Sequence, residues 1–227
     1  KAVTDVTIQN LRITGFSGQG LIAFGSDNLQ VANVEVDHSA DVGVFSKAGT
    51  RSAFVSDRVH DNGGAGIRVS DSSGFTITRT TSYRNHDGVL ILDSVQGSIT
   101  HAVLAGNCAG LAVIDTADGV ATGDITVREN AVVANSRYCP AGEAPSESGV
   151  GVGLLGTTAM VVMDNLIADN VGHPDPNTGE RAQFGGGALL LLDATDLTGG
   201  AAPTQNRVTG NLFAHNEPAD VVTDGTG

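Results

Sequence analysis

The sequence predicts an all-β fold, a parallel β-helix of about eight coils, from three observations. Strand-like segments recur every 22 to 24 residues in the first half of the chain, and most of them are followed at a fixed distance by Asn. Gly contributes 31 of 227 residues, while aromatic residues make up 4% and Trp is absent. Frequent tight turns and few bulky side chains disfavour a helix bundle. Short β-branched strands separated by turn residues fit coils stacked about 4.8 Å apart.

The repeat unit is a β-branched strand residue followed eight positions later by Asn. It occurs as Ile77 to Asn85, Ile99 to Asn107, Val127 to Asn135, Val162 to Asn170 and Val208 to Asn216, with Val55 to Asn62 one residue shorter. Two upstream copies, at Ile8 and Val31, keep the strand without the Asn. Successive strand residues lie 23, 24, 22 and 22 positions apart, and then 28, 35 and 46. We therefore expect a single domain over residues 1–227 with loop insertions in the C-terminal coils.

Polar residues recur at the turns of each predicted coil. The Asn side chains are expected to form a buried ladder in which each amide donates to the next carbonyl oxygen, which is a structural role. This row comprises Asn62, Asn85, Asn107, Asn135, Asn170 and Asn216. A second strand begins with Gly after each Asn and ends at Asp71, Asp93 or Asp115. These Asp residues are expected to form turns, with calcium bound between coils as the alternative.

Composition and charge exclude several functions. The formal net charge is −13, so the surface field should repel nucleic acid and anionic lipid. No apolar run approaches the length of a membrane span, and we expect no membrane partner. Lys1 begins directly in strand-like sequence without a polar cap or a leader. Either a signal peptide has already been removed, or the chain is a fragment that lacks its N-terminal cap. We expect a secreted or extracellular protein.

The Asn row and the Gly-Ile-x-Val-x-Asp repeats resemble the right-handed parallel β-helix superfamily, which contains pectate lyases, polygalacturonases and mannuronan epimerases. The resemblance covers nearly the whole chain and implies a right-handed solenoid with a polysaccharide or glycan as partner. The chain lacks the Asn-Thr-Asp, Asp-Asp and Gly-His-Gly set of polygalacturonases, the Tyr-Gly-x-Asp-Pro-His stretch of mannuronan epimerases and Gly-Gly-x-Gly-x-Asp calcium repeats. No catalytic residue is carried over from the superfamily, because fold does not determine activity.

Alignment of the coils on the Asn places the densest group of titratable residues on three neighbouring coils. We predict catalytic roles for His60, Asp61, Tyr83, Arg84 and His86, and substrate-binding roles for His38 and Asp87. A His between carboxylates, with an Arg to neutralise a uronate, suits proton abstraction or glycosidic cleavage. The alternatives are a solvated corner in which Asp61 pairs with Arg84, and a metal pocket around the two His-Asp pairs. We expect no metal and no cofactor.

The two late insertions are the second candidate site. They leave the solenoid after Asn135 and Asn170, at the same corner of their coils. Loops on a rigid repeat scaffold often carry binding residues, so Tyr138, His173 and Arg181 are predicted to bind substrate. The alternative is that these segments are surface excursions without function.

The two cysteines are predicted to form a disulfide. Cys108 lies one residue after Asn107, and Cys139 lies four residues after Asn135. Coil stacking places these corners within the separation of about 4.4 to 6.8 Å that a disulfide requires between Cα atoms. Free thiols are the alternative in a reducing compartment.

Alternation along the Gly-led strands predicts an outward apolar stripe. Its members are Ile22, Phe24, Phe45, Leu90, Leu92, Ala112, Ile114, Leu155, Leu190 and Leu192. A stripe of this length is more than soluble monomers usually expose. We expect it to be covered by a second copy in a homo-oligomer, by the late loops, or by polypeptide outside this chain.

Two functions remain at this point. The acid and base rows favour a protein that binds or modifies a polysaccharide, with lyase, epimerase or glycosidase chemistry. The absence of the superfamily's catalytic motifs and the scarcity of aromatic residues for sugar stacking favour a non-catalytic scaffold, adhesion or assembly module.

Overall fold

The computed structural model describes residues 3–142 and 145–223, and their regular secondary structure is almost entirely β-strand. In chain order these are β1 (Thr7–Gln9), β2 (Arg12–Thr14), β3 (Leu21–Phe24), β4 (Gln30–Ala32), β5 (Glu35–Asp37), β6 (Val44–Lys47), β7 (Ala53–Val55), β8 (Arg58–His60), β9 (Ile67–Ser70), β10 (Thr76–Thr78), β11 (Thr81–Tyr83), β12 (Asp87–Leu92), β13 (Ser98–Thr100), β14 (Val103–Ala105), β15 (Ala109–Ile114), β16 (Thr126–Arg128), β17 (Ala131–Val133), β18 (Tyr138–Cys139), β19 (Glu147–Leu155), β20 (Val161–Met163), β21 (Leu166–Ala168), β22 (Phe184–Leu192), β23 (Arg207–Thr209), β24 (Leu212–Ala214) and β25 (Val221–Thr223). One short helix, α1 (Thr195–Thr198), follows β22.

The strands form three parallel sheets that run the length of the solenoid. Sheet A has the order β1-β4-β7-β10-β13-β16-β20-β23, sheet B the order β2-β5-β8-β11-β14-β17-β21-β24, and sheet C the order β3-β6-β9-β12-β15-β19-β22-β25. Each coil contributes one strand to each sheet, and each strand pairs with its equivalent one coil away. The parallel β-helix predicted from the repeat is confirmed, and α1 is too short to change this class.

The inward row of sheet A corrects one detail of the repeat. Ile77 pairs with Phe54 and Ile99, so Phe54 and not Val55 occupies the inward position of β7. Phe54 is fully buried and lies eight residues before Asn62, the same spacing as in the later coils. The shorter spacing deduced from Val55 was wrong because an aromatic residue replaces the β-branched residue at that position.

The predicted in-and-out alternation of sheet C is confirmed. Leu21, Val44, Ile67, Val89, Leu111, Val152 and Leu189 are buried in the core. On the outward face, Ala112, Leu155 and Leu190 are each only 5% exposed, whereas Phe24 at the other end of the sheet is 60% exposed. The late segments therefore cover the C-terminal half of the outward stripe. Of the three predicted covers, the late loops are the one found at this end.

The Asn ladder is confirmed as a structural element. Nδ2 of Asn107 donates to Oδ1 of Asn135 at 3.0 Å, and Nδ2 of Asn135 donates to Oδ1 of Asn170 at 3.0 Å. The residue before each ladder position has a left-handed backbone with φ between 53° and 63°: His38, Asp61, Arg84, Gly106, Ala134, Asp169 and His215. The corner imposes this conformation on Ala and on Arg alike, so a polar residue in this row is not by itself a sign of function.

A second ladder, which the sequence repeat did not indicate, occupies the corner between sheets A and B. Asn130 donates through Nδ2 to Oδ1 of Asn165, which in turn donates to Oδ1 of Asn211. In an earlier coil the equivalent place is taken by Asp57, whose Oδ1 accepts the backbone N–H of Val34 at 2.9 Å.

The disulfide between Cys108 and Cys139 is present, with the two Cα atoms 5.9 Å apart. It ties the first insertion to the preceding coil. Of the residues in 3–142 and 145–223, none belongs to a helix with the length and hydropathy needed to cross a bilayer.

Candidate active site

A groove of about 340 Å³ lies on the outward face of sheet C, where the late segments rise above it. Its floor is a row of side chains in register on four strands: Leu90, Ala112, Gly153 and Leu190. One wall contains Phe184 with Pro145 and Gln183, and the other contains Leu197 and Thr198 of α1 with Thr116. The wall at α1 is anchored because Thr198 Oγ1 donates to the backbone carbonyl of Asp115 at 2.6 Å.

Three titratable side chains meet at the edge of this groove where β12 and β19 begin. His86 Nδ1 lies 3.4 Å from Asp87 Oδ2 and 3.6 Å from Glu147 Oε2. Asp87 and Glu147 are 6% and 9% exposed. Asp87 Oδ1 and Glu147 Oε2 are buried and have no hydrogen-bond partner within the described ranges. These three residues are called the carboxyl cluster below.

Burial raises the pKa of Glu147 well above its usual value, and the charge of Asp87 and the hydrogen bond between the two carboxyl groups raise it further. Two carboxyl groups can share a hydrogen bond only when one of them carries a proton. The direction of this pKa shift favours a proton on Glu147. A carboxylic acid next to a proton acceptor is the usual composition of an acid and base site.

The first insertion positions Glu147. Cys139 in β18 pairs antiparallel with Glu147, and the disulfide fixes Cys139 to Cys108 on the preceding coil. On its other side Glu147 is in register with Phe184 at the start of β22. The carboxyl group is thus placed by backbone pairing on both sides and by a covalent link beneath it.

Four of the residues predicted to be catalytic, His60, Asp61, Tyr83 and Arg84, form a separate group on sheet B. Together with Glu35, Asp37, His38 and Arg58 they are here called the corner network. His60 Nδ1 lies 2.6 Å from Asp61 Oδ2, and His60 Nε2 lies 3.1 Å from Glu35 Oε1. Arg84 Nη2 donates to Asp61 Oδ2 at 2.6 Å. The ion pair between Asp61 and Arg84 across adjacent coils is the arrangement expected for a solvated corner.

Tyr83 is surrounded by cationic and aromatic groups of the same network. Its ring stacks on His60 with centroids 4.6 Å apart and planes 8° apart. The guanidinium carbons of Arg58 and Arg84 lie 5.4 and 5.1 Å from the ring centroid, and Arg58 Nε donates to the Tyr83 hydroxyl at 2.9 Å. Both guanidinium groups are largely exposed, so this corner presents positive charge to solvent.

Two carboxyl groups of the corner network stay ionised. The hydrogen bond from Arg12 holds the pKa of Asp37 far below its usual value, despite the burial of that carboxyl. Burial acts to raise the pKa of Asp61, but the hydrogen bonds from Arg84 and His60 outweigh it and lower the pKa. Ionised carboxylates that already accept from cations are poorly suited to exchange protons with a substrate.

The structure thus divides the predicted site residues into three groups. His60, Asp61, Tyr83 and Arg84 come together with His38, whose Nδ1 lies 2.6 Å from Asp37 Oδ1. His86 and Asp87 lie instead beyond the Asn85 corner, in the carboxyl cluster. The third group is on the late segments. His173 and Arg181 line another cavity of about 470 Å³ with Glu217 and Pro218, and Tyr138 in β18 pairs with Ser148, the residue after Glu147.

Within residues 3–142 and 145–223, two groups of three side chains have ligand atoms within 4.8 Å of one another, the spacing of a cation site. One is the carboxyl cluster, and the other is Glu35, Asp37 and His60. In the second group Arg12 already occupies the carboxylates, because its Nε lies 2.7 Å from Asp37 Oδ2 and 3.9 Å from Glu35 Oε2. In the carboxyl cluster, Asp87 Oδ1 and Glu147 Oε2 have no hydrogen-bond partner among the described residues, so they can bind either a proton or a cation.

Sequence reasoning missed the role of Glu147. The residue lies in an insertion three positions before Val150, the register partner of Ala109, so it falls outside the rows produced by aligning coils on the Asn. Arg68, at the N-terminal end of the groove, was also missed. Its outward position in β9, beside Leu90 in the apolar stripe, could have indicated that Arg68 lies at the groove.

A family model described as "Right handed beta helix region" matches residues 2–132. The chain belongs to this family. No curated protein sequence matches it. The match over the first half of the chain agrees with the uniform repeats there, and the insertions begin where it ends.

Solved β-helix structures resemble this chain in fold. The A-module of mannuronan C-5 epimerase AlgE4 from Azotobacter vinelandii superimposes with a TM-score of 0.60 at 16% identity, over 98% of this chain and 65% of that one. The periplasmic alginate epimerase AlgG gives 0.57 at 14%, over 90% and 47%. DFA-IIIase from Arthrobacter chlorophenolicus A6 gives 0.63 at 14%, over 96% and 48%. The chain spans between about half and two thirds of the length of these proteins.

Proposed function

We propose that this β-helix binds and modifies a polysaccharide or other glycan in the groove on sheet C. Asp87 acts as the base that takes a proton from the sugar, and Glu147 acts as the acid that donates one. The observation that carries the proposal is a buried pair of carboxyl groups, with the pKa of Glu147 raised by burial and by Asp87, at the edge of the groove on sheet C. The similar structures include two epimerases, of mannuronan and of alginate, and this supports a carbohydrate substrate.

The spacing of the pair favours chemistry on neighbouring atoms. The donor atoms of Asp87 and Glu147 lie within 4.8 Å of each other. Glycosidases that invert configuration separate their carboxyl groups by about 6.5 to 9.5 Å to admit a water molecule. Elimination, in which a base takes a ring proton and an acid protonates the leaving oxygen on the adjacent carbon, fits the shorter spacing. In such a step Asp87 accepts the proton, Glu147 donates its own, and His86 orients both carboxyl groups.

The corner network is proposed to bind glycan rather than to react with it. His60 and Asp61 hold each other in a hydrogen bond. Arg58 and Arg84 each donate to one partner, Tyr83 and Asp61, and their remaining exposed N–H groups can bind a carboxylate of the glycan. Arg84 is two residues from His86, so a chain bound in the groove would pass close to this corner. His173 and Arg181 are proposed to contact the substrate farther away, and a secreted location follows from a polysaccharide substrate.

The test is conversion of a glycan panel followed by proton NMR, which reports epimerisation, elimination and hydrolysis alike. The panel contains polymannuronate, alginate and the neutral polymers inulin and xylan. Glu147→Gln and Asp87→Asn should each lower the conversion rate at least 100-fold, a typical loss for one acid or base group. The control is Glu129→Gln, which removes an exposed carboxylate paired with His101 at 2.8 Å and should leave the rate unchanged.

Unchanged conversion by Glu147→Gln overturns the assignment of the reacting group. Binding without conversion of any polymer supports the alternative, a non-catalytic scaffold, and overturns the enzymatic proposal. Conversion that stops on addition of a chelator assigns the cluster to a metal ion and overturns the shared proton.

A further inference from the structure

We propose that the substrate in the groove is an amphiphilic saccharide, whose sugar carries an alkyl, acyl or aryl group that lies on the floor of sheet C. This inference rests on the proposed function and names the substrate class of the same groove. The observation behind it is the contrast between an apolar floor and a polar edge.

The floor offers nothing for sugar hydroxyls to bond. It consists of aliphatic side chains and Gly153, flanked by a second outward row in register on the same strands: Leu92, Ile114, Leu155 and Leu192. Hydroxyl groups pressed against such a surface would lose water without gaining hydrogen bonds, which is unfavourable. A hydrocarbon group in the groove would remove from water its own apolar area and that of the half-buried Leu90, Leu92 and Ile114, which is favourable.

The polar groups of the groove are confined to its margins. Asp87 and Glu147 lie at the edge where the strands begin, and Gln183 lies in the wall beside Phe184. Arg68 closes the N-terminal end, where its guanidinium carbon lies 5.0 Å from the Phe45 ring centroid. A ligand with one polar end and one apolar end can place its sugar at the carboxyl cluster and its hydrocarbon on the floor.

The dimensions suit a small amphiphile. The volume of about 340 Å³ falls within the range of about 300 to 1,000 Å³ that is usual for small-molecule sites. Four strands in register span roughly 14 Å at β-sheet spacing. That length accommodates an alkyl chain of about eight carbons or an aromatic group.

The experiment is calorimetric titration with methyl, butyl, hexyl and octyl β-glucoside, each below its micelle concentration. Wild-type protein and Glu147→Gln are both used, because binding and conversion are then measured separately. Affinity should rise about fourfold for each methylene that reaches the floor. The methyl glucoside should bind weakly or not at all.

Gly153→Val tests the floor directly. A Cβ at Gly153 would lie 3.6 Å from Cγ1 of Val150 and 3.7 Å from Cδ1 of Leu155, which is ordinary contact, so the backbone there accepts a residue with a Cβ. The valine should fill the middle of the groove and lower octyl glucoside affinity at least tenfold without a change in Tm. The control is Ala53→Val, which places a valine on the outward face of sheet A between Gln30 and Thr76. It should leave the affinity for octyl glucoside unchanged.

An affinity that does not depend on chain length overturns the inference, as does an unchanged chain-length dependence in Gly153→Val. These outcomes are separate from the failure of the proposed function. If Glu147→Gln abolishes conversion while all glucosides bind equally, only the substrate class is wrong. If octyl glucoside binds in the groove while Glu147→Gln converts glycans normally, the apolar floor stands and the assigned acid is wrong.

Discussion

A residue of the Asn ladder and a residue of the neighbouring corner contribute to different properties of the molecule. Asn107 is fully buried, and its side chain bonds to three partners: the backbone of Asn85, the carbonyl of Ser82 and the amide of Asn135. Arg84 is exposed and holds one carboxylate. We therefore expect stability to depend on the ladder and, under the proposed function, glycan binding to depend on the corner network.

This contrast gives a paired prediction. Asn107→Ala should lower the free energy of unfolding by about 1 to 3 kcal/mol, because its neighbours lose hydrogen-bond partners. Arg84→Ala should barely change the melting temperature but weaken binding of an acidic glycan. Denaturant titration and a glycan binding assay measure the two effects. Equal binding by Arg84→Ala and the parent on every glycan tested would remove the corner network from the binding site.

Asp57 is an acidic residue in a ladder built for amides. Burial raises its pKa to about 7, despite the backbone N–H groups that donate to it. Its Oδ2 is buried and unpartnered among the described residues. In the equivalent place of a later coil, Nδ2 of Asn130 donates to the carbonyl of Ile99 at 2.9 Å. Protonation of Asp57 would allow the same kind of bond.

Asp57→Asn is therefore expected to stabilise the protein at neutral pH. Because the folded pKa lies above the usual value of 3.8, the folded chain binds the extra proton, and stability falls as pH rises from about 4 to 7. The loss is about 1.4 kcal/mol for each unit between the two pKa values. Urea unfolding at several pH values should show Asp57→Asn matching the parent near pH 4 and exceeding it at pH 8. A constant difference across this range would mean that Asp57 does not titrate there.

At the scale of elements, the disulfide matters through the strand it holds. Cys139 is the direct partner of Glu147 in the β18–β19 pair, so the link to Cys108 sets the position of the carboxyl cluster. Cys108→Ser with Cys139→Ser should lower glycan conversion at least tenfold at a temperature where the solenoid remains folded. Circular dichroism monitors the fold. Full activity in the double variant would show that strand pairing alone places Glu147.

The elements that sequence reasoning could predict are those the repeat specifies. The strands, the ladder after each coil and the inward row follow from a periodic pattern, because each coil must present the same side chains to its neighbours. Glu147 and α1 lie in insertions outside the period, and their contacts with the outward face of sheet C depend on tertiary folding. Alignment on the Asn also grouped His86 with His60, although the corner at Asn85 sends their side chains to different sheets.

At the scale of the whole molecule, the outward stripe remains partly open. The late segments cover its C-terminal half, while Ile22 and Phe24 in the first strand of sheet C are 48% and 60% exposed. Phe45 lies against Phe24 with ring centroids 5.7 Å apart, so the exposed end is a continuous apolar patch. A patch of this kind favours association.

We therefore expect the chain to associate with a second copy through this end of sheet C. Light scattering at micromolar concentration should give a mass above 23.0 kDa. Phe24→Lys should restore the monomer by placing a charge in the contact, whereas Leu212→Lys, on the exposed side of sheet B, should not. A monomer for the parent protein would leave this end of the stripe uncovered by a copy of the chain.

The most direct test of the central claim, a shared proton between Glu147 and Asp87, is a carbon NMR titration of protein labelled at the Glu side-chain carboxyl. One Glu carboxyl should keep the chemical shift of its protonated form at a pH where the other Glu carboxyls have ionised. The Glu147→Gln substitution should remove this resonance from the spectrum. Asp87→Asn should lower the pKa of that resonance, because the neighbouring negative charge is gone. If every Glu carboxyl ionises together in the usual range, the pair shares no proton and the acid and base mechanism is wrong.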